Sequence, residues 1–192
     1  MKLDKNLKNA DLINPNWEQH GYIQIYTGNG KGKTTALFGL ALRALGRDFK
    51  VLIVQFLKAQ ESGEILYLSK IEDENLRIIR INSNAKFSWQ MTEEEKNVSK
   101  NEIKQGLEEV KRIYKEYDLV IFDELLNAEQ IGFVSKDDII DIINEKTERV
   151  ELAFSGRTFN SELEEYADYI SDISAKKHPY ASGIRARIGI EY

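Results

Sequence analysis

Short apolar runs alternate with segments of helical period along most of this chain. The runs contain few polar residues and predict buried strands at residues 22–26, 51–56, 77–81, 119–122 and 150–154. Between them, apolar residues recur every three or four positions, which predicts helices at residues 37–45, within 93–117, around 139–143 and at 163–166. Apolar strands that alternate with helices are typical of a mainly parallel sheet covered on both faces. We therefore predict an α/β fold with three layers.

The two ends of the chain carry weaker patterns. Residues 1–20 are polar and rich in Asn and Lys, and they indicate a short helix or a disordered arm that stops at Asn14-Pro15. Residues 169–174 and 184–190 predict the last two strands. Because no internal repeat or linker interrupts the pattern, we expect an N-terminal arm (1–20) followed by one domain (21–192).

Charge and composition narrow the function. The formal net charge of the 192 residues is −5, which argues against a general binder of nucleic acid or of anionic membranes. The chain has no cysteine, so disulfides, thiolate zinc sites and cysteine nucleophiles are excluded. Its first residues lack the apolar region of a secretory signal, and no apolar run approaches the ~18 residues of a membrane span. We expect a cytoplasmic enzyme with no nucleic-acid or membrane partner.

A glycine-rich loop follows the first predicted strand and precedes a predicted helix. Its sequence is Gly28-Asn29-Gly30-Lys31-Gly32-Lys33-Thr34-Thr35. In such a loop, backbone N–H groups and the positive end of the helix dipole converge on an anion. Lys33 is expected to reach the terminal phosphates of a nucleotide, and the Thr34 hydroxyl to bind Mg²⁺. Thr27 stands where the Walker pattern has its first glycine, and an ordinary glycine-rich turn is the alternative interpretation.

An acidic pair, Asp123 and Glu124, comes directly after the predicted strand at 119–122. A buried parallel strand delivers side chains to the edge of the sheet where ligands bind. Carboxylates at that edge can hold Mg²⁺ directly or through water, whereas capping of the next helix is the alternative. The loop and the acidic pair together predict a three-layer P-loop NTPase fold of the RecA-like kind, with a triphosphate nucleotide as ligand.

Several motifs, in order along residues 21–192, resemble one enzyme family. The loop from Thr27 to Thr35 is similar to that of the P-loop-type ATP:corrinoid adenosyltransferases, which act on cob(I)yrinic acid a,c-diamide or cob(I)alamin. The internal segments that resemble the family are Val54-Gln-Phe-Leu-Lys58, Phe87-Ser-Trp89 and Asp123-Glu-Leu125. The similar segments near the end are Ser155-Gly-Arg157, Ala167-Asp168, Lys177-His178-Pro179, Gly183-Ile184 and Ile188-Gly-Ile-Glu-Tyr192.

The resemblance implies a reaction in which the Co(I) of a reduced corrinoid attacks the C5′ carbon of ATP, giving adenosylcorrinoid and triphosphate. It implies that the loop from Thr27 to Thr35 binds the nucleotide and that Lys33 stabilises the charge of the leaving triphosphate. It also implies that Thr34 and Glu124 bind Mg²⁺, with Asp123 beside them. Arg43 and Arg157 match arginines of the family and are expected to face phosphate or the polar groups of the corrinoid, whereas a surface or structural ion pair is the alternative.

The same resemblance assigns Phe87 and Trp89 to the corrinoid. Both would be catalytic by walling the lower face of the corrin ring, whereas the residues alone are more typical of core aromatics. The family further implies a homodimer and a flavodoxin-like or other reductase as partner. His20 and His178 are interpreted as solvated or loop-bonded residues rather than metal ligands.

Two other function classes stay open from the residues alone. One is a P-loop kinase or RecA-like ATPase in which Asp123 and Glu124 activate water or an acceptor. The other is a nucleotide-binding partner protein without turnover. The product distinguishes them, because adenosyl transfer releases triphosphate and the kinase or ATPase releases diphosphate or orthophosphate.

Overall fold

The computed structural model describes residues 20–58, 60–82 and 88–192, except for the side chain of Trp89. Nearly all of the predicted N-terminal arm therefore lies outside the described residues. Within them, six strands form one sheet: β1 (Ile23–Thr27), β2 (Val51–Phe56), β3 (Leu76–Ile81), β4 (Leu119–Asp123), β5 (Glu151–Ser155) and β6 (Tyr169–Asp172). Across the sheet their order is β3-β2-β4-β5-β1-β6, and every neighbouring pair is parallel.

The helices of the described residues alternate with these strands. The α-helices are α1 (Lys33–Leu45), α2 (Gly63–Leu68), α3 (Glu93–Ile113), α4 (Leu125–Gln130) and α5 (Lys136–Asn144). Shorter 3₁₀ helices lie at Ser88–Gln90, Tyr114–Glu116, Ser161–Tyr166 and Pro179–Ser182. Both α3 and α5 begin with a capping box, in which the N-cap side chain and the acidic residue three positions on bond each other's backbone N–H.

Two separate apolar clusters cover the two faces of the sheet. On β4, Leu119 and Ile121 pack with buried residues of α1 and α2, whereas Val120 and Phe122 pack with α3, α4 and α5. This division follows from the alternation of side chains along a strand. The three-layer α/β fold with a parallel sheet is therefore confirmed, and it has the architecture of a P-loop NTPase.

The prediction of a last strand at residues 184–190 is wrong. Residues 184–187 have no regular secondary structure, residues 188–190 form a turn, and Ile188 is 82% exposed. Gly183 and Gly189 have φ values of 74° and 75°, so the backbone turns directly before Ile184 and again between Ile188 and Ile190. Arg187 and Glu191 pair with each other across the second turn. The strand predicted at 169–174 ends at Asp172, and the helix predicted at 163–166 belongs to a 3₁₀ helix.

Candidate functional site

A cavity of about 730 Å³ lies at the edge of the sheet where the strands carry their carboxyl ends. The loop after β1 forms one wall, through residues 29–35. Lys58 after β2, Glu124 after β4 and Arg157 after β5 complete the part of the lining contributed by the strand ends. The last residues of the chain, 189–192, also contact this space.

The backbone of the glycine-rich loop is held against neighbouring chain segments. The N–H of Gly28 donates to the carbonyl of Arg157 at 3.0 Å, and the N–H of Gly30 donates to the carbonyl of Ile173 at 2.7 Å. A Cβ on Gly28 would lie 2.5 Å from Ile173 O, and one on Gly30 would lie 2.4 Å from the same atom. Gly28 also has a φ of 102°, which side chains other than hydrogen rarely allow. The loop therefore needs glycine at both positions for its close backbone approach.

The loop leads into the N-terminus of α1, which no side chain caps. Its N-cap is Gly32, with a φ of 123° and no side-chain hydrogen bond. The first N–H groups of a helix have no partner within the helix, so this end offers donors and a positive dipole end to an anion. Residues 32–35 line the cavity, and phosphate binding at this helix end stays a prediction.

The side chain of Lys33 reaches back to the glycines that precede it in the loop. Its Nζ donates to the carbonyl oxygens of Gly28 at 2.6 Å and of Gly30 at 3.0 Å. Burial lowers the pKa of this ammonium, while the nearby Glu124 carboxylate opposes that shift. Among the described residues, the hydrogen-bond partners of the Lys33 ammonium are these two neutral carbonyls, and phosphate oxygens can replace them with stronger charge-assisted bonds.

Asp123 ends β4 with a carboxylate that is fully buried. Four side chains from three other segments donate hydrogen bonds to it: Lys58 at 2.7 Å, Ser155 at 2.8 Å, Gln55 at 3.0 Å and Thr34 at 3.2 Å. Such a set of donors offsets the cost of removing a carboxylate from water. We call these five residues the carboxylate cluster.

Glu124 follows in a left-handed backbone conformation, with a φ of 67°. Its N–H donates to Ser155 Oγ at 2.9 Å, and its carboxylate accepts a hydrogen bond from the Asn127 side-chain amide. Burial and the neighbouring Asp123 raise the pKa of this carboxyl group. A residue other than glycine in this conformation is strained, and here the turn brings the side chain into the lining of the cavity.

The side-chain oxygens near the carboxyl end of β4 suit a hard divalent cation. Thr34 offers a hydroxyl, Asp123 and Glu124 offer carboxylates, and the buried Oε1 of Gln55 has no hydrogen-bond partner in the described structure. No group of three or more His, Cys, Asp or Glu side chains that could hold a metal ion occurs among the described residues. Mg²⁺ in nucleotide sites takes one or two carboxylates and completes its shell with phosphates and water, so this donor set fits it.

Comparison with known proteins agrees with these features. The family described as ATP:corrinoid adenosyltransferase BtuR/CobO/CobP matches residues 19–192. The chain belongs to this family. It is 29% identical to the corrinoid adenosyltransferase of Escherichia coli K12 over 177 residues, which cover 91% of this chain and 87% of that protein. It is 28% identical to the corrinoid adenosyltransferase of Pseudomonas aeruginosa, over 91% of this chain and 85% of that protein.

Solved structures give a weaker likeness. The AMPPCP-bound DnaA of Aquifex aeolicus is 14% identical, with a TM-score of 0.43 over 88% of this chain and 48% of that chain. Nothing about the function follows from a likeness at that level.

Of the predicted site residues, Thr27, Gly28 and Arg43 lie outside the cavity lining, whereas Asn29 borders the cavity and so does His178. The Thr27 hydroxyl donates to the Arg157 carbonyl at 3.3 Å, and the Asn29 side chain accepts from the N–H of Ala175. Arg43 is exposed in the last turn of α1, at the opposite end of that helix from the loop. His178 caps a 3₁₀ helix by accepting the N–H of Tyr180, which agrees with a loop-bonded role.

The predicted corrinoid residues cannot be placed in the cavity. Phe87 lies outside the described residues, and of Trp89 only the backbone is described, in the 3₁₀ helix Ser88–Gln90. Their contact with the corrinoid stays a prediction.

Among the described residues, no helix combines the length and the apolar content that crossing a bilayer requires.

Sequence reasoning missed most of the partners of Asp123. Gln55, Lys58 and Ser155 lie at the carboxyl ends of β2 and β5, on either side of β4. All three lie in segments that resemble the family, although no role was assigned to them, and a further signal is a polar or charged residue at the end of an apolar run, as at Gln55 and Lys58. Such a residue at the carboxyl end of a buried parallel strand is a candidate for the site.

Proposed function

We propose that this adenosyltransferase transfers the 5′-deoxyadenosyl group of ATP to the Co(I) of a corrinoid and releases triphosphate. The observation that carries the proposal is that a chain matching this family over residues 19–192 brings its phosphate loop and Glu124 to one cavity, with the buried Asp123 bonded to Thr34 of that lining. In this reaction the Co(I) electron pair forms a bond to C5′, the C5′–O bond breaks, and its electron pair leaves with the triphosphate. No proton has to be removed.

The loop side of the cavity would hold the leaving group. The Lys33 ammonium exchanges its two carbonyl partners for triphosphate oxygens, and the first N–H groups of α1 donate to the same group. The Arg157 side chain lines the cavity and adds a further positive charge. Charges that are fixed where negative charge develops lower the barrier without reorganising during the reaction.

The acidic side would serve the metal. Thr34, Asp123 and Glu124 are the residues that would hold Mg²⁺, which when bound supplies positive charge to the leaving triphosphate. Asp123 is fixed for this role by its donors from β2 and β5, and Glu124 by Asn127.

Phe87 and Trp89 would wall the lower face of the corrinoid. Their apolar side chains offer no lone pair to cobalt, so they would keep water and the lower ligand away from it. A four-coordinate Co(II) is then easier to reduce to the nucleophilic Co(I). We further propose, on the family likeness alone, a homodimer in the cytoplasm that receives electrons from a flavodoxin-like or other reductase.

The reaction products distinguish adenosyl transfer from a kinase or ATPase and from a binding protein without turnover. The protein is incubated with ATP, Mg²⁺ and a chemically reduced corrinoid, and both products are measured. We expect triphosphate and a light-sensitive adenosylcorrinoid in equal amounts. Diphosphate or orthophosphate without a cobalt–carbon bond would show a kinase or ATPase instead, and no turnover would leave a binding protein.

The role of the aromatic pair has its own test, with Phe87→Ala and Trp89→Ala. Each variant should keep nearly the ATP affinity of the original protein. Its activity should fall most when a weak reductant supplies Co(I), and much less when Co(I) is formed chemically beforehand. A core role would instead cost ~3–5 kcal/mol of unfolding free energy and lower both activities equally.

A further inference from the structure

The ammonium group of Lys58 lies where the proposed metal would bind. Its Nζ is 2.7 Å from Asp123 Oδ2 and 2.8 Å from Thr34 Oγ1, so it bridges two of the three proposed Mg²⁺ ligands. Lys58 and Asp123 form an ion pair in which the carboxylate is fully buried and the lysine side chain is 19% exposed. A cation of this chain and a divalent cation would therefore compete for the same oxygens.

The backbone fixes Lys58 at this place. β2 ends at Phe56, and Leu57 then has a φ of 57°, which turns the chain at the carboxyl edge of the sheet. The Lys58 carbonyl accepts a hydrogen bond from Arg80 Nη2 at 2.8 Å, and Arg80 also pairs with Glu61. The attachment point of the side chain is thus held, while the side chain itself borders the open cavity.

The charges of the cavity explain why a lysine is useful here. A fully buried carboxylate without a counter-cation is costly, and Lys58 supplies the counter-charge in the nucleotide-free protein. ATP changes this balance, because its triphosphate brings several negative charges into a cavity that Lys58 already borders. The ammonium then has phosphate oxygens as alternative partners, and the metal gains phosphate ligands that the protein alone does not provide.

We propose that Lys58 occupies the metal position in the nucleotide-free enzyme and thereby makes Mg²⁺ binding depend on bound ATP. The inference rests on the proposed assignment of Thr34, Asp123 and Glu124 to the metal. Lys58 moves toward the triphosphate when the nucleotide enters and leaves the two oxygens to the metal. Free Mg²⁺ is consequently excluded from the empty site.

Metal binding without nucleotide tests the proposal, with Mn²⁺ as the probe and electron paramagnetic resonance to measure the free ion. The original protein should bind no Mn²⁺ in a saturable way below millimolar concentrations. Lys58→Met should bind one Mn²⁺ at least roughly tenfold more tightly, since the competing charge is gone. Thermal unfolding should agree, because Mn²⁺ raises the melting temperature of the variant and leaves that of the original protein unchanged. Lys31→Met, which removes an exposed lysine of the same cavity, should behave as the original protein.

Two outcomes would overturn the inference. One is tight Mn²⁺ binding by the nucleotide-free original protein, and the other is a folded Lys58→Met that binds no better. If Lys58→Met does not fold, Lys58→Gln removes the charge and keeps a hydrogen-bond donor, and the binding curve of the original protein still decides. The product assay is independent of these results, so formation of adenosylcorrinoid with tight nucleotide-free metal binding would refute the role of Lys58 and leave the proposed function intact.

Discussion

At the end of β1 the site is made of backbone, whereas at the end of β4 it is made of side chains. The loop after β1 presents N–H groups and an uncapped helix start, and glycines let it lie against Arg157 and Ile173. The carboxylate cluster at the end of β4 is assembled from Thr34, Gln55, Lys58 and Ser155 around a buried Asp123. Both ends border the same cavity.

This difference separates two tasks. A backbone cradle binds an anion through many fixed dipoles, and it tolerates no added Cβ at its close approaches. A buried carboxylate must instead have its charge balanced by specific donors, so it depends on every neighbour that reaches it. We therefore expect substitutions at the end of β1 to act through sterics and nucleotide affinity, and those at the end of β4 to act through charge and metal.

The largest effect is expected from Gly28→Ala. The new Cβ would lie 2.5 Å from Asp172 Oδ1 and from Ile173 O, and φ is 102°. Overpacking and a strained φ together cost about 2–5 kcal/mol of unfolding free energy, measured by denaturant titration. Gly32→Ala is the matched control, because its φ is 123° but nothing lies within 4 Å of the added atom. Equal losses for both variants would show that the contact with the segment after β6 does not constrain the loop.

The next effect is expected from Lys33→Ala, which removes the charge that follows the loop. Charge-assisted hydrogen bonds are worth about 1.5–3 kcal/mol, so ATP affinity should fall at least about tenfold in calorimetry. Stability should change less than for Gly28→Ala, because the lost hydrogen bonds are two partly buried contacts to neutral carbonyls. Lys31→Ala should lose less affinity, since that lysine is exposed. Unchanged ATP binding in a folded Lys33→Ala would contradict the nucleotide assignment of the loop.

The two ends also differ in how far they could be predicted from the sequence. The loop was identified because its glycines, lysines and threonines are consecutive, and the strand and helix beside it have clear periods. Asp123 and Glu124 were identified for the same reason. Gln55, Lys58 and Ser155 were not identified as partners of Asp123. Their contact with its carboxylate depends on β2 and β5 being the neighbours of β4. Local periodicity carries no information about strand order.

A smaller loss is expected from Ser155→Ala in the carboxylate cluster. The Ser155 hydroxyl donates to Asp123 Oδ1 at 2.8 Å and accepts from the Glu124 N–H at 2.9 Å. Without this hydroxyl, the buried Asp123 carboxylate loses one donor and the Glu124 N–H loses its acceptor. We expect this to cost about 1–2 kcal/mol of unfolding free energy. In Ser155→Cys the new side chain is comparable in size but forms only weak hydrogen bonds. The stability of this variant should therefore lie between that of Ser155→Ala and that of the original protein. A variant as stable as the original protein would mean that the other donors of Asp123 suffice.

The smallest change in stability, with a specific change in metal dependence, is expected from Glu124→Gln. The amide keeps an oxygen for Asn127 but loses the charge that would attract Mg²⁺. Since Co(I) carries no proton to remove, Glu124 has no task as a general base in the proposed reaction. The Mg²⁺ concentration needed for half-maximal rate should therefore rise several-fold, and high Mg²⁺ should restore part of the rate. Glu129→Gln, on the same helix and outside the cavity lining, is the control.

The titration of Glu124→Gln with Mg²⁺ separates a metal ligand from a general base. A ligand that is lost raises the metal requirement, and added metal compensates by mass action. A base that is lost lowers the rate at every metal concentration and removes an ionisation from the pH–rate profile. An unchanged Mg²⁺ titration with a uniformly lower rate would therefore contradict the metal assignment at the end of β4. Such a result would favour the hydrolytic use of the same carboxylate.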